Sequence, residues 1–276
     1  MEQIIFVVWR ERIEALLVVG ILYSWLRQSG ADGALRYLWF GVGGGIAAAV
    51  LLAVALLSAQ QVLTGIGQDI FMLVMMLSAT TLIVQMVLWM RRHGRRLQNH
   101  LAQKTQEAVD HQAFWSISIL VAVAIAREGS ETVVFLYGMS YAQKTMGDWL
   151  SFSAAVGIAL ILASVTYYLL QAGRYWLSWR RFFQITEVML LLLASALLLS
   201  AVDKMIGLGG IPAGIDPLWD SSALLSESTR LGSMISALTG YRAYPALTDL
   251  LVWIAFWAII AGVFRHQRNR QETVIV

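Results

Sequence analysis

The chain contains no cysteine. That removes thiolate metal ligands, disulfides, redox dithiols and a cysteine nucleophile. Histidine is scarce: His93, His100, His111 and His266 are the four, and all fall in polar connections or in the tail. This argues against haem ligation by histidine at membrane depth and against an intramembrane serine–histidine protease. Charge is scarce too, at 13% of 276 residues, where a soluble domain carries about one quarter. Ile70–Met90 and Leu150–Ala172 hold no Asp, Glu, Lys, Arg or His at all. Both runs exceed the roughly 18 apolar residues that mark a spanning helix. With 58% hydrophobic residues, the chain reads as an all-α, polytopic membrane protein. Chemistry inside the membrane then rests on carboxylates, hydroxyls, amides, carbonyls and thioethers.

Seven spans are expected, at about 3–27, 36–58, 69–90, 113–138, 150–172, 182–204 and 247–265. The basic residues set their orientation. Thirteen fall in the first, third and fifth connections or in the C-terminal tail, and four fall on the other side: Lys144, Lys204, Arg230 and Arg242. That bias places the N-terminus outside and the C-terminus in the cytoplasm. It also explains the net charge of +3 without invoking nucleic acid. Met1-Glu2-Gln3 offers no basic leader, so no cleavable signal is expected. The whole chain, 1–276, is expected to be one transmembrane domain. Residues 1–92 and 113–206 form two three-helix units of opposite topology, an inverted repeat. Residues 207–246 form an external loop, and 247–276 add a seventh helix and a basic tail. The external segment, rich in Gly and Ser and carrying Pro212 and Pro217, reads as a passive loop, with a vestibule or lid as the alternative. The basic connection Arg91–Gln112 reads as a solvated face near anionic lipid.

Charge returns in two places inside the apolar runs. One reads Arg10-Glu11-Arg12-Ile13-Glu14, the other Arg127-Glu128-Gly129-Ser130-Glu131. Both have the form R-E-x-x-E, 117 residues apart. Ionisable residues at membrane depth are expensive and mark functional sites. On a helix, positions i and i+3 share a face, so Glu11 sides with Glu14 and Glu128 with Glu131. Arg10 and Arg127 stand four residues before Glu14 and Glu131 and can pair with them. If the two helices face each other, four carboxylates converge into a hard oxygen site for Mg²⁺, Ca²⁺, Mn²⁺ or Fe³⁺. Four glutamates and two arginines leave about −2 if all are ionised. The bland alternative is neutral ion pairs that hold helices together.

The segment Ala126-Arg127-Glu128-Gly129-Ser130-Glu131-Thr132-Val133-Val134-Phe135-Leu136 resembles the second R-E-G-x-E motif of the FTR1/EfeU-type iron permeases, the oxidase-dependent iron transporter family. Arg10-Glu11-Arg12-Ile13-Glu14-Ala15 resembles the first. The resemblance implies seven spans, an external N-terminus and uptake of iron, usually described as Fe³⁺. It implies Glu11, Glu14, Glu128 and Glu131 as the metal-binding residues, with Arg10 and Arg127 in support. It also implies a bacterial inner-membrane location and no cofactor beyond the transported ion. Any oxidase or metal-delivery partner outside the membrane is a separate chain, and a homo-oligomer stays open. The chain departs from the family at Arg12, where Gly is frequent. Asp69 stands where the family often has an acidic residue at the start of the third span. Ala201-Val202-Asp203-Lys204 lacks the family's further acidic cluster.

Weaker signals surround these motifs. Glu187, five residues into the sixth span, can pair with Arg180 or Arg181 or serve as an exit-path ligand. Met72, Met75, Met76, Met86 and Met90 on the third span read first as packing and second as a soft-metal relay. Trp9, Trp89 and other tryptophans near span ends read as an aromatic belt. Three competing functions remain: a permease for Fe²⁺, Mn²⁺ or another cation, an intramembrane enzyme with a carboxylate-bound metal, and a structural or assembly protein.

Overall fold

The computed structural model describes residues 2–28, 32–93, 114–139, 146–172 and 179–273. Eight helices and no strand occur among the described residues. They are α1 (Glu2–Gln28), α2 (Asp32–Val62), α3 (Ile66–His93), α4 (Phe114–Met139), α5 (Met146–Ala172), α6 (Trp179–Gly207), α7 (Arg230–Thr239) and α8 (Leu247–Thr273). The seven longer ones coincide with the seven apolar stretches and overrun most of them at the ends.

Among the described residues, four stretches are long and apolar enough to cross a membrane: Gly33–Val62, Ile66–Arg91, Gln184–Gly207 and Leu247–Gln267. Helices α1 and α4 miss that standard because of their own motifs, since Arg10, Glu11, Arg12 and Glu14 or Arg127, Glu128 and Glu131 fall mid-helix. Along α2 the exposed face is apolar, with Trp39, Phe40, Ile46, Val50, Leu51, Val54 and Leu57. An apolar surface of that extent suits lipid, not water. The basic residues from Arg95 to Lys104 lie outside the described residues.

The chain forms two compact units, Met1–Leu191 and Leu192–Val276. In the first, α1 runs parallel to α5. Ile4 and Val8 share a buried cluster with Ala155 and Ala159, and Ile13 packs with Ala163. The Trp9 indole donates to Thr166 Oγ1 at 3.0 Å. Helix α2 runs parallel to α4 in the same manner. A Cβ on Gly41 would come within 2.5 Å of the Ser118 carbonyl, and one on Gly45 within 2.6 Å of Ile125 Cβ. One on Gly129 would meet Ala49 Cβ at 2.5 Å. Small residues at i, i+4 and i+8 let the backbones approach this closely. The same separation, 114 residues, divides 41 from 155, 45 from 159 and 49 from 163. The ladder Gly41, Gly45, Ala49 that holds α4 therefore has its counterpart in the ladder Ala155, Ala159, Ala163 that holds α1.

Helices α1 and α4 are antiparallel. Leu22 and Leu26 late in α1 cluster with Ile117 and Val121 early in α4, while Leu136 late in α4 packs on the cluster of Ile4 and Val8.

The second unit departs from the expectation of a plain loop over 207–246. Residues 212–221 pair back on 243–248: Ser221 N–H donates to the Ala243 carbonyl, Leu218 N–H to Pro245 and Leu247 N–H to Ile215. Between them stands α7, capped by the Thr229 hydroxyl, which accepts from Gly232 N–H, and closed by Gly240 at φ 76°. The Ser195 hydroxyl of α6 donates to the Thr239 carbonyl, and Arg242 pairs with Asp203. A folded segment results because turn residues, a helix cap and internal hydrogen bonds satisfy the backbone locally.

Candidate functional site

The antiparallel crossing of α1 and α4 brings the two motifs together. Glu11 and Glu131 are buried, Glu128 is half-buried, and one carboxylate oxygen of each lies within 4.8 Å of the others. One oxygen of each also remains buried without a hydrogen-bond partner among the described residues. An orphaned buried acceptor costs about 1–3 kcal/mol, more when charged. Three clustered carboxylates, each with a buried oxygen to satisfy, are a donor set that a hard cation would complete. Neighbouring hydroxyls are turned elsewhere: Ser130 Oγ donates to the Arg127 carbonyl and Thr132 Oγ1 to that of Glu128, each at 2.8 Å.

Both expected i,i+4 ion pairs form. Arg127 Nε donates to Glu131 Oε1 at 2.9 Å, and Arg10 pairs with Glu14. The motifs are otherwise unequal. The Arg10 side chain is only 2% exposed and also donates from Nη1 to Glu11 Oε1 at 2.8 Å. The Arg127 side chain is 39% exposed, and its guanidinium lies 4.8 Å from the centre of the Trp89 ring. Glu14, held by Arg10, is not part of the three-carboxylate cluster.

Three other candidates sit apart from that cluster. Asp69, in the first turn of α3, is roughly 25 Å along the helix from Met86 at 1.5 Å per residue. Glu187 pairs with Arg91 of α3; the side chains of Arg180 and Arg181 lie outside the described residues. Arg12 is exposed and adds no charge to the cluster.

One contributor escapes a reading of the motifs alone. Met86, Trp89 and Met90 occupy i, i+3 and i+4 of α3, one helical face, and that face meets both motif arginines. The spacing is visible in the sequence, but Met and Trp at such positions are also ordinary packing residues.

A family model described as the iron permease FTR1 family matches residues 1–265. The chain belongs to the iron permease FTR1 family. Among curated relatives, the ferrous iron permease EfeU of Escherichia coli O6:K15:H31 (strain 536 / UPEC) is 28% identical over 254 residues, covering 90% of this chain and 89% of that protein. The protein named putative inactive ferrous iron permease EfeU from E. coli K12 shows the same identity and coverage. An uncharacterized protein of Archaeoglobus fulgidus is 26% identical over 269 residues, 95% of this chain and 93% of its own length. No solved structure matches. As an FTR1-family permease with several apolar helices long enough to cross a membrane, the chain is a transporter rather than an enzyme, with iron transport as its activity. It is an integral protein of the bacterial inner membrane.

Proposed function

We propose that this FTR1-family chain imports iron by passing the ion between α1 and α4, where Glu11, Glu128 and Glu131 bind it. Glu14, Arg10 and Arg127 set the charge around it. The observation that carries this reading is the convergence of three carboxylates from two separate motifs, each with one buried oxygen lacking a donor. A cation satisfies all three at once.

Charge selects among the ions. Four glutamates and two arginines sum to −2 when ionised. A divalent ion brings that total to zero, whereas a trivalent ion leaves +1 in a buried site, which is costly. Fe²⁺ is therefore the first reading, and the name ferrous iron permease carried by the relatives points the same way. The all-oxygen donor set favours Fe³⁺ as the second reading, since hard ions suit carboxylates. Mn²⁺ shares the charge and donor preference of Fe²⁺ and is the control substrate.

The proposed frame has seven spans, an external N-terminus and a cytoplasmic C-terminus, with α1–α3 and α4–α6 as inverted repeats. Parallel packing of α1 on α5 and of α2 on α4 supports it, because exchanging two inverted repeats turns one pair into the other. Any oxidase or metal-delivery partner acts from outside.

The test is radioactive iron uptake into proteoliposomes, under ferrous and under ferric conditions, for the wild type and for Glu131→Gln. Wild-type uptake that is lost in folded Glu131→Gln assigns transport to the cluster and names the iron state. Undiminished uptake in the variant moves the pathway elsewhere.

A further inference from the structure

Arg10 carries a full charge into the interior, and its surroundings have an uncommon composition. Each terminal nitrogen of its guanidinium faces one carboxylate oxygen and one thioether sulfur. Nη1 meets Glu11 Oε1 at 2.8 Å and Met86 Sδ at 2.9 Å. Nη2 pairs with Glu14 and meets Met90 Sδ at 2.9 Å. Nε is buried with no acceptor among the described residues. The two sulfurs are therefore acceptors for the terminal N–H groups of Arg10 beside the two carboxylates.

We propose that Met86 and Met90 are positioning residues that hold the Arg10 guanidinium on Glu14 and on one oxygen of Glu11, keeping it off the oxygens of Glu11, Glu128 and Glu131 that take the transported cation. The inference rests on the reading of that cluster as the iron site. A guanidinium stripped of the sulfur acceptors turns toward buried carboxylate oxygens that lack a donor, and Glu11, Glu128 and Glu131 each hold one, as does Glu14. There it competes with iron as a tethered cation. Thioethers suit the task because sulfur is a weak acceptor. They satisfy the N–H groups without adding negative charge, so the total of −2 is unchanged.

Leucine and glutamine separate this role from packing. Leu keeps the volume of Met and removes the acceptor, while Gln keeps an acceptor at similar reach and adds polarity. Iron uptake is measured in proteoliposomes for the wild type, for Met86→Leu with Met90→Leu, and for Met86→Gln with Met90→Gln. The milder single changes at the less buried Met90 are measured beside them. Positioning predicts that the Leu pair raises KM about tenfold, the order expected when a hydrogen bond to a charged group is lost, with kcat within about twofold. The Gln pair returns KM toward the wild-type value, and the Met90 singles follow the same order with smaller changes. A Leu pair that transports like the wild type, or a Gln pair as impaired as the Leu pair, overturns the proposal. Glu131→Gln is the control for the underlying reading. Its retention of full uptake would sink the iron-site assignment itself, whereas its loss of uptake beside an unimpaired Leu pair sinks only the role of the methionines.

Discussion

At the scale of the residue, the glutamates divide into two groups that the motif pattern treats alike. Glu11, Glu128 and Glu131 form the carboxylate cluster, while Glu14 sits outside it and pairs with Arg10. Replacing any one of the three by Gln removes a full charge a few ångströms from the ion. At an effective dielectric near 20, a unit charge 4 Å from a divalent ion is worth about 8 kcal/mol. The amide oxygen that remains and the lower cost of burying a neutral side chain offset part of this, so iron affinity should fall by at least about two to three orders of magnitude. Glu14→Gln should cost about tenfold, because Arg10 already neutralises that carboxylate. Equilibrium iron binding to the four purified variants checks the ordering, and equal losses at all four positions would contradict it. The arginines differ as well. Arg10→Gln leaves buried carboxylates uncompensated and should lower stability by about 3–5 kcal/mol. Arg127→Gln, at a side chain 39% exposed, should lower it by about 1 kcal/mol. Thermal unfolding of the two proteins in detergent compares them.

At the scale of the element, close approach of helices decides what can vary. Gly45 has no room for a side chain, since its Cβ would stand 2.6 Å from that of Ile125, whereas a Cβ on Gly43 meets nothing within 4 Å. Gly45→Val should destabilise by about 1–3 kcal/mol through overpacking. Gly43→Ala should be neutral or slightly stabilising, because alanine is the better helix former. The melting temperatures of these two variants test whether α2 seats on α4 as described, and an equal effect at both positions would contradict that contact. Which of Gly41, Gly43, Gly44 and Gly45 faces a neighbour depends on the rotation of α2, and no local pattern fixes that rotation in a helix apolar on every side. The methionine and tryptophan face of α3 was hidden for the same reason. Met86 and Trp89 look like any apolar packing residues until the two arginines are seen to face them.

At the scale of the whole molecule, the absence of cysteine makes topology directly testable. Leu224, 90% exposed in the folded segment after α6, should react from outside as Leu224→Cys with a membrane-impermeant maleimide in intact cells. His266→Cys, near the end of α8, should react only after permeabilisation. Reaction of both from the same side would overturn the orientation drawn from the basic residues.

The residue string alone carries the helical, apolar character of the chain, the positions of its long helices and the two R-E-x-x-E motifs. Hydrophobic runs and the expense of buried charge are local signals that one residue string carries in full. Tertiary structure alone decided that α1 crosses α4 with the motifs in reach, that three of the four glutamates form the cluster, and that Arg10 is held by two sulfurs of α3. It also decided that Glu187 pairs with Arg91 and that residues 207–246 fold around a capped helix. These depend on helix rotation and on partners tens of residues away. A chain uniformly apolar on most faces leaves them open until its small-residue ladders lock α2 on α4 and α5 on α1.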